Sequence, residues 1–382
     1  MMITTTEDLK ALCKRLKKKK FITVDTEFIR EKTYHAVLCL IQVASDEEAC
    51  LIDPLSEELE LTPLLKLMKN KKVLKVFHAA RQDIEIFYDL MGCVPVPVFD
   101  TQIGAMVCGL GDSVSYQTLV SKFLKITLDK SSRFTDWAHR PLSEKQMQYA
   151  LSDVTHLVPV YEKMNEALKQ SGRDKWVHEE MVHLVDPTLY DVDPYETWKR
   201  IKRHSDNPRF LAILRELSAW REKEAIQMDK PRKHILKDEA LLEIAATAPQ
   251  TMEELGQLRS MTPGLMKNFG AGVLEALQKG RACPDKKCPV AEKQKNIPEG
   301  RKNVVDILRL LLNLLSDREK VAAKVIATTA DLEKMAESDK ADVPAMKGWR
   351  YDLFGRAAMQ FKRGQLAVRL NPKTNKIEFF DC

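Results

Sequence analysis

A chain of 382 residues is too long for one average domain; at roughly 100–200 residues per domain, two or three are expected. Hydrophobic residues at 44% and charged residues at 30% are ordinary for folded proteins and exclude global disorder. The net charge of +6 permits a polyanionic partner without requiring one, and eight scattered cysteines fit a reducing compartment better than a secreted disulfide framework.

The chain opens on an amphipathic helix that ends in Lys14, Arg15, Lys17, Lys18, Lys19 and Lys20, a basic run read as a solvated helix end. Lys10 and Lys14 interrupt any apolar run, so no signal peptide is expected. No stretch reaches the roughly 20 apolar residues of a membrane span, so a cytoplasmic protein without membrane contact is expected. Short β-branched runs at 21–25, 36–44, 49–53, 73–77 and 97–100 predict strands, and helical patterns fall at about 80–91 and 101–110. Three early strands followed by β-α-β-α alternation imply an α/β unit with a mixed sheet flanked by helices.

Ser143 with Gln146 makes a capping box, predicting a helix from there to about residue 170, where Ser171-Gly172 stops it. The pattern then weakens, with Asp186-Pro187, Asp193-Pro194 and Asn207-Pro208 marking turns. Beyond Pro208 five short helices fill 208–280, two of them capped by Asp238 and Thr251. A polar connection leads to a second helical unit, whose end reads as a hairpin near 365–370 and 376–380. The expected division is a catalytic domain at 1–172, a linker at 173–207, a helical domain at 208–282, a linker at 283–301 and a second helical domain at 302–382.

The informative residues are four carboxylates and a tyrosine. Asp25 and Glu27 are two apart on a predicted strand and project from one face. Asp83 begins the helix after strand 73–77, at the carboxyl end of that strand, where open α/β sheets build sites. Tyr149 and Asp153 are four apart on the capped helix and also share a face. Buried carboxylates without partners would take up protons, whereas bound Mg²⁺ or Mn²⁺ lets them stay ionised. Two such divalent ions about 3.5–4 Å apart can clamp the attacking and leaving oxygens of a phosphoryl displacement. An unshifted phenol, with a pKa of about 10, is a poor base at neutral pH, so Tyr149 is expected to orient the attacking water.

These stretches resemble the ribonuclease D family of the DEDD 3′–5′ exonuclease superfamily. The resemblance rests on Phe21-Ile-Thr-Val-Asp-Thr-Glu-Phe-Ile-Arg-Glu, Leu38-Cys-Leu-Ile-Gln-Val-Ala, Lys75-Val-Phe-His-Ala-Ala-Arg-Gln-Asp-Ile-Glu and Tyr149-Ala-Leu-Ser-Asp. It implies an RNase H-like exonuclease fold, with Asp25, Glu27, Asp83 and Asp153 as metal ligands and Tyr149 as the tyrosine of the DEDDy branch. The histidine branch is not expected, because position 148 is Gln and His156 follows Asp153. Leu214-Arg-Glu-Leu-Ser-Ala-Trp-Arg-Glu and Asp229-Lys-Pro-Arg resemble an HRDC domain, and 302–382 a degenerate second copy. The implied activity is 3′–5′ exoribonucleolytic release of nucleoside 5′-monophosphates from tRNA precursors and small structured RNAs, with no protein partner. The alternatives are a DNA 3′–5′ exonuclease and a non-catalytic nucleic-acid-binding protein.

Other residues carry less. Phe28 is either a stacking platform for the terminal base, an interaction of about 1–3 kcal/mol, or a core residue on the opposite strand face. His78 reads as a hydrogen-bonded structural histidine, and Trp137 as the anchor of the loop before the capped helix. Cys283 and Cys288 lack the further ligands that a zinc clip needs.

Overall fold

The computed structural model describes residues 1–128, 135–290 and 299–382, so the expected linker 283–301 lies partly outside the described residues. The first domain is built on a six-stranded sheet of β1 (Met2–Ile3), β2 (Phe21–Ile29), β3 (Val37–Ala44), β4 (Ala49–Ile52), β5 (Leu74–Phe77) and β6 (Val98–Asp100). The strand order is β1-β4-β3-β2-β5-β6. β2, β3 and β4 pair antiparallel, while β5 and β6 extend the sheet in parallel, so the sheet is mixed as expected.

Helices cover both faces. On one lie α1 (Thr6–Leu16), α2 (Thr62–Met68) and α3 (Arg81–Met91), whose Leu9, Leu12, Leu64, Leu67, Ile84 and Phe87 pack on Ile22 and Val24. On the other lie α4 (Thr101–Val107), α5 (Tyr116–Leu124), α6 (Glu144–Thr155) and α7 (Leu157–Gln170). The basic run at the end of α1 is not merely solvated. Arg15 makes paired contacts with Glu48, and Lys19 binds Asp46 and Glu47, tying α1 to the β3–β4 turn.

The helix from Ser143 does not run unbroken to 170, because it ends at Thr155 and α7 begins at Leu157. Pro159 has no N–H for the Thr155 carbonyl, and its ring obstructs a continuous helix. Residues 173–207 are not a bare linker either. They form α8 (Asp174–Leu184), whose Val177 and Met181 join the core of the first domain, and short 3₁₀ turns whose Trp198 and Ile201 join the next core.

That next core belongs to α9 (Pro208–Gln227), α10 (Arg232–Ile235), α11 (Asp238–Thr247), α12 (Met252–Gly256) and α13 (Pro263–Ala282). It is filled by Leu214, Leu217, Leu241, Ile244, Val273 and Leu277. Thr251 caps α12 as expected, but Asp238 is the first residue inside α11 and pairs with buried Arg221 at 2.7 Å. The last unit comprises α14 (Glu299–Glu319), α15 (Ala323–Ile326), α16 (Thr329–Glu337), α17 (Gly348–Arg350), a π turn and α18 (Arg356–Lys362). The expected hairpin follows as β7 (Leu366–Asn371) and β8 (Lys376–Asp381).

Both helical units are fastened to the sheet domain. The β2–β3 loop enters the first through Tyr34, whose hydroxyl donates to buried Glu222, while Arg232 binds both. Asp229 accepts from the backbone N–H groups of Tyr34 and His35 at 3.0 Å. The second is held by Trp349 stacked on Trp176 at 4.5 Å and by the Arg350–Glu180 ion pair. At Gly109 the Lys320 carbonyl approaches so closely that a Cβ would lie 2.1 Å from its oxygen, so glycine is required there.

Candidate active site

On β2, Thr23, Asp25 and Glu27 alternate onto one face. The Thr23 hydroxyl donates to the Val154 carbonyl at 2.9 Å, which places that face beneath α6. The start of α6 is fixed by the capping box, in which Ser143 accepts from the Gln146 N–H and the Gln146 side chain accepts from the Ser143 N–H. Registered this way, α6 brings Asp153 over Asp25 and Glu27, and one carboxylate oxygen from each of the three lies within 4.8 Å of the other two. Among the described residues this trio is the one group of His, Cys, Asp and Glu close enough to share a cation. Cys283 and Cys288 form no such group.

Asp83 stands apart from the trio. It lies in the first turn of α3, where β5 has ended, and accepts from the Thr26 hydroxyl at 2.5 Å. It remains in electrostatic reach of Asp25, whose negative charge raises its pKa further after burial has done most of the work.

The cluster is electrostatically frustrated. Burial and then the charge of Asp153 push Asp25 well above the usual carboxylate range. Glu27 rises to about 9, first by burial and then by repulsion from Asp25, Asp153 and Asp83. Asp153 rises to about 7 through burial, offset in part by a hydrogen bond with Tyr149. Without a countercharge, these groups hold protons in the folded state that they release when unfolded, so folding stability falls as pH rises from about 4 through 7 to 9. A hard divalent cation fits this donor set, because all its ligands are carboxylate oxygens and their repulsion vanishes on binding.

Beside the carboxylates is a cleft of about 420 Å³, lined by Asp25, Tyr149 and Asp153 and also by His78, Gln102 and Tyr116. The His78 imidazole hydrogen-bonds Thr101 at 3.0 Å, as expected of a structural histidine, and burial lowers its pKa to about 4, so it is neutral. Tyr116 donates to the Ser152 carbonyl at 2.8 Å. Sequence reasoning missed Tyr116 and Gln102; the one local signal was Ser115, the N-cap of α5. Phe28 does not line this cleft. After a register shift at Glu27/Phe28 it packs half-buried against the core beneath α3, the second of its two readings.

Trp137 is the loop anchor it was expected to be: it is 4% exposed and its ring lies 6.1 Å from that of Tyr149. A contact not foreseen completes the anchor. Arg140 binds both carboxylate oxygens of Asp53 at 2.7 and 2.8 Å and the carbonyls of Trp137 and Cys39, pinning the approach to α6 against β3 and β4.

Residues 1–169 match the family model of a 3′-5′ exonuclease, and residues 210–277 that of the HRDC domain. The chain is 47% identical over 370 residues to ribonuclease D of Nitrobacter hamburgensis, covering 97% of each. The chain belongs to the ribonuclease D family. Ribonuclease D of Bartonella henselae is 45% identical over 377 residues, covering 98% of this chain and 93% of that one. The crystal structure of Escherichia coli RNase D, described as an exoribonuclease involved in structured RNA processing, matches with a TM-score of 0.82 at 29% identity, covering 95% of this chain and 98% of that one. As a member of that family, the chain is a 3′–5′ exoribonuclease with an RNase H-like catalytic domain and an HRDC domain, and it carries an acidic cluster in a fold that normally works with divalent metals. No described helix is long and apolar enough to cross a membrane.

Proposed function

We propose that Asp25, Glu27 and Asp153, with Asp83 in the first turn of α3, hold two divalent cations, Mg²⁺ or Mn²⁺, and that Tyr149 orients the water attacking the last phosphodiester of an RNA. The observation that carries this reading is the convergence of three half-buried carboxylates within 4.8 Å beside an open cleft. When bound, such ions stabilise the charge that develops on the attacking and leaving oxygens. The Tyr149 hydroxyl, bonded to Asp153, is fixed at the cleft wall, where its oxygen can direct the water's lone pair toward phosphorus. Neutral His78 and the Tyr116 ring, 5.6 Å apart, give the terminal nucleotide an uncharged wall. The product is a nucleoside 5′-monophosphate.

The substrates we assign are 3′-extended tRNA precursors and other small structured RNAs, in line with the description of the E. coli relative. We assign a catalytic domain extending past 172 to include α8, an HRDC domain whose core begins with Trp198, and a degenerate second HRDC-like domain over 302–382. Eight free cysteines support a cytoplasmic location. The test is digestion of a 3′-extended tRNA and of matched RNA and DNA oligonucleotides with Mg²⁺. Release of 5′-monophosphates from the RNA well ahead of the DNA is expected. Equal rates on both would instead favour the DNA exonuclease reading, and no release would favour a binding protein.

A further inference from the structure

The side chain of Gln42 is the polar group that the site leaves unexplained. It is fully buried, and neither its Nε2 nor its Oε1 has a hydrogen-bond partner. An amide kept from water without partners is costly and correspondingly rare in folded cores. A methionine or leucine would fill the same space without that cost, so packing does not account for a glutamine here.

Its position does. Gln42 on β3 lies directly opposite Asp25 on β2. Residues so paired in an antiparallel ladder share a face, with Cβ atoms about 4.5–5.5 Å apart. Its same-face neighbours on β3 are Leu40, which clusters with Ala150, and Ala44, which clusters with Val154. The amide is therefore set beneath the turn of α6 that carries Asp153 and beside the carboxylate of Asp25.

We infer that Gln42 is a positioning residue of the metal centre, whose Nε2–H donates to the Asp25 carboxylate in the cation-loaded site and fixes the orientation in which Asp25 presents its other oxygen. This rests on the reading of the carboxylates as a cation site. Partners of this kind hold a ligand in place, and their loss commonly weakens metal binding about 10–100-fold.

Gln42→Met keeps the unbranched shape and removes the amide. Its melting temperature without metal should equal or exceed that of the parent, because an unpaired buried group is gone. Its Mn²⁺ affinity, read from the paramagnetic resonance signal of the free ion, should fall about tenfold or more. The Mg²⁺ concentration for half-maximal cleavage should rise in proportion, with the KM for RNA unchanged. Gln42→Leu supplies the same readings should the methionine variant not fold. Mn²⁺ binding as tight as the parent's in a folded variant would overturn the inference. Asp25→Asn in the same titration separates the two levels. If Asp25→Asn loses tight Mn²⁺ binding while Gln42→Met keeps it, only the role of Gln42 is wrong; if Asp25→Asn also binds Mn²⁺ unchanged, the metal site itself is misassigned.

Discussion

Asp25→Asn is expected to lower the single-turnover cleavage rate on the order of 10³-fold or more while leaving the fold intact. The size follows from what is lost: cation stabilisation of a phosphoryl displacement is worth several kcal/mol, and each 1.36 kcal/mol is about tenfold in rate. Asparagine keeps the volume of the side chain and ends the repulsion with Asp153 that, after burial, drives the Asp25 carboxyl upward. The metal-free variant should therefore melt no lower than the parent. RNA affinity should change little, because phosphate contacts from basic side chains, not this carboxylate, hold the body of the substrate. A variant that cleaves within about tenfold of the parent at saturating Mg²⁺ would remove Asp25 from the centre.

The second large effect is expected at Tyr149. Tyr149→Phe keeps the ring that packs 6.1 Å from Trp137 and deletes only the hydroxyl that bonds Asp153. The single-turnover rate should fall on the order of 10²-fold, comparable to the loss of a positioned acid–base group. Mn²⁺ affinity should hold to within a few-fold, since all the proposed ligands remain. Single-turnover measurement matters because slow product release could mask a chemical defect in steady state. Wild-type single-turnover cleavage would make the tyrosine a structural neighbour of Trp137.

The parts of this site that the sequence disclosed are those governed by local rules. Asp25 and Glu27 share a face because a strand has period two, and Tyr149 and Asp153 because a helix places residues four apart on one side. Ser143 and Gln146 announced the start of α6 through side chains three residues apart. The break at His156 was written in Pro159 but masked by apolar residues that keep helical spacing on both sides of it. Residues 173–207 read as a linker because Asp-Pro and Asn-Pro steps dominate there, whereas Val177 and Met181 find their partners only in the folded core. Long-range contacts left no local trace. Arg140 reaches Asp53, 87 residues away, and Tyr34 reaches Glu222, 188 residues away. The burial of Gln42 opposite Asp25 likewise depends on strand register.

The central claim, that the mutually repelling carboxylates of β2 and α6 hold divalent cations, is tested most directly by Mg²⁺-dependent melting across pH. Cations bind the ionised form, so they compete with the protons that Asp153 holds up to about 7 and Glu27 up to about 9. Ligand stabilisation grows as affinity grows, so the rise in melting temperature caused by a fixed Mg²⁺ concentration should be small near pH 6 and several-fold larger near pH 9. In Asp25→Asn the rise should be largely lost at both. A shift that is absent at every pH, or that is equal at both and survives in Asp25→Asn, would contradict the account.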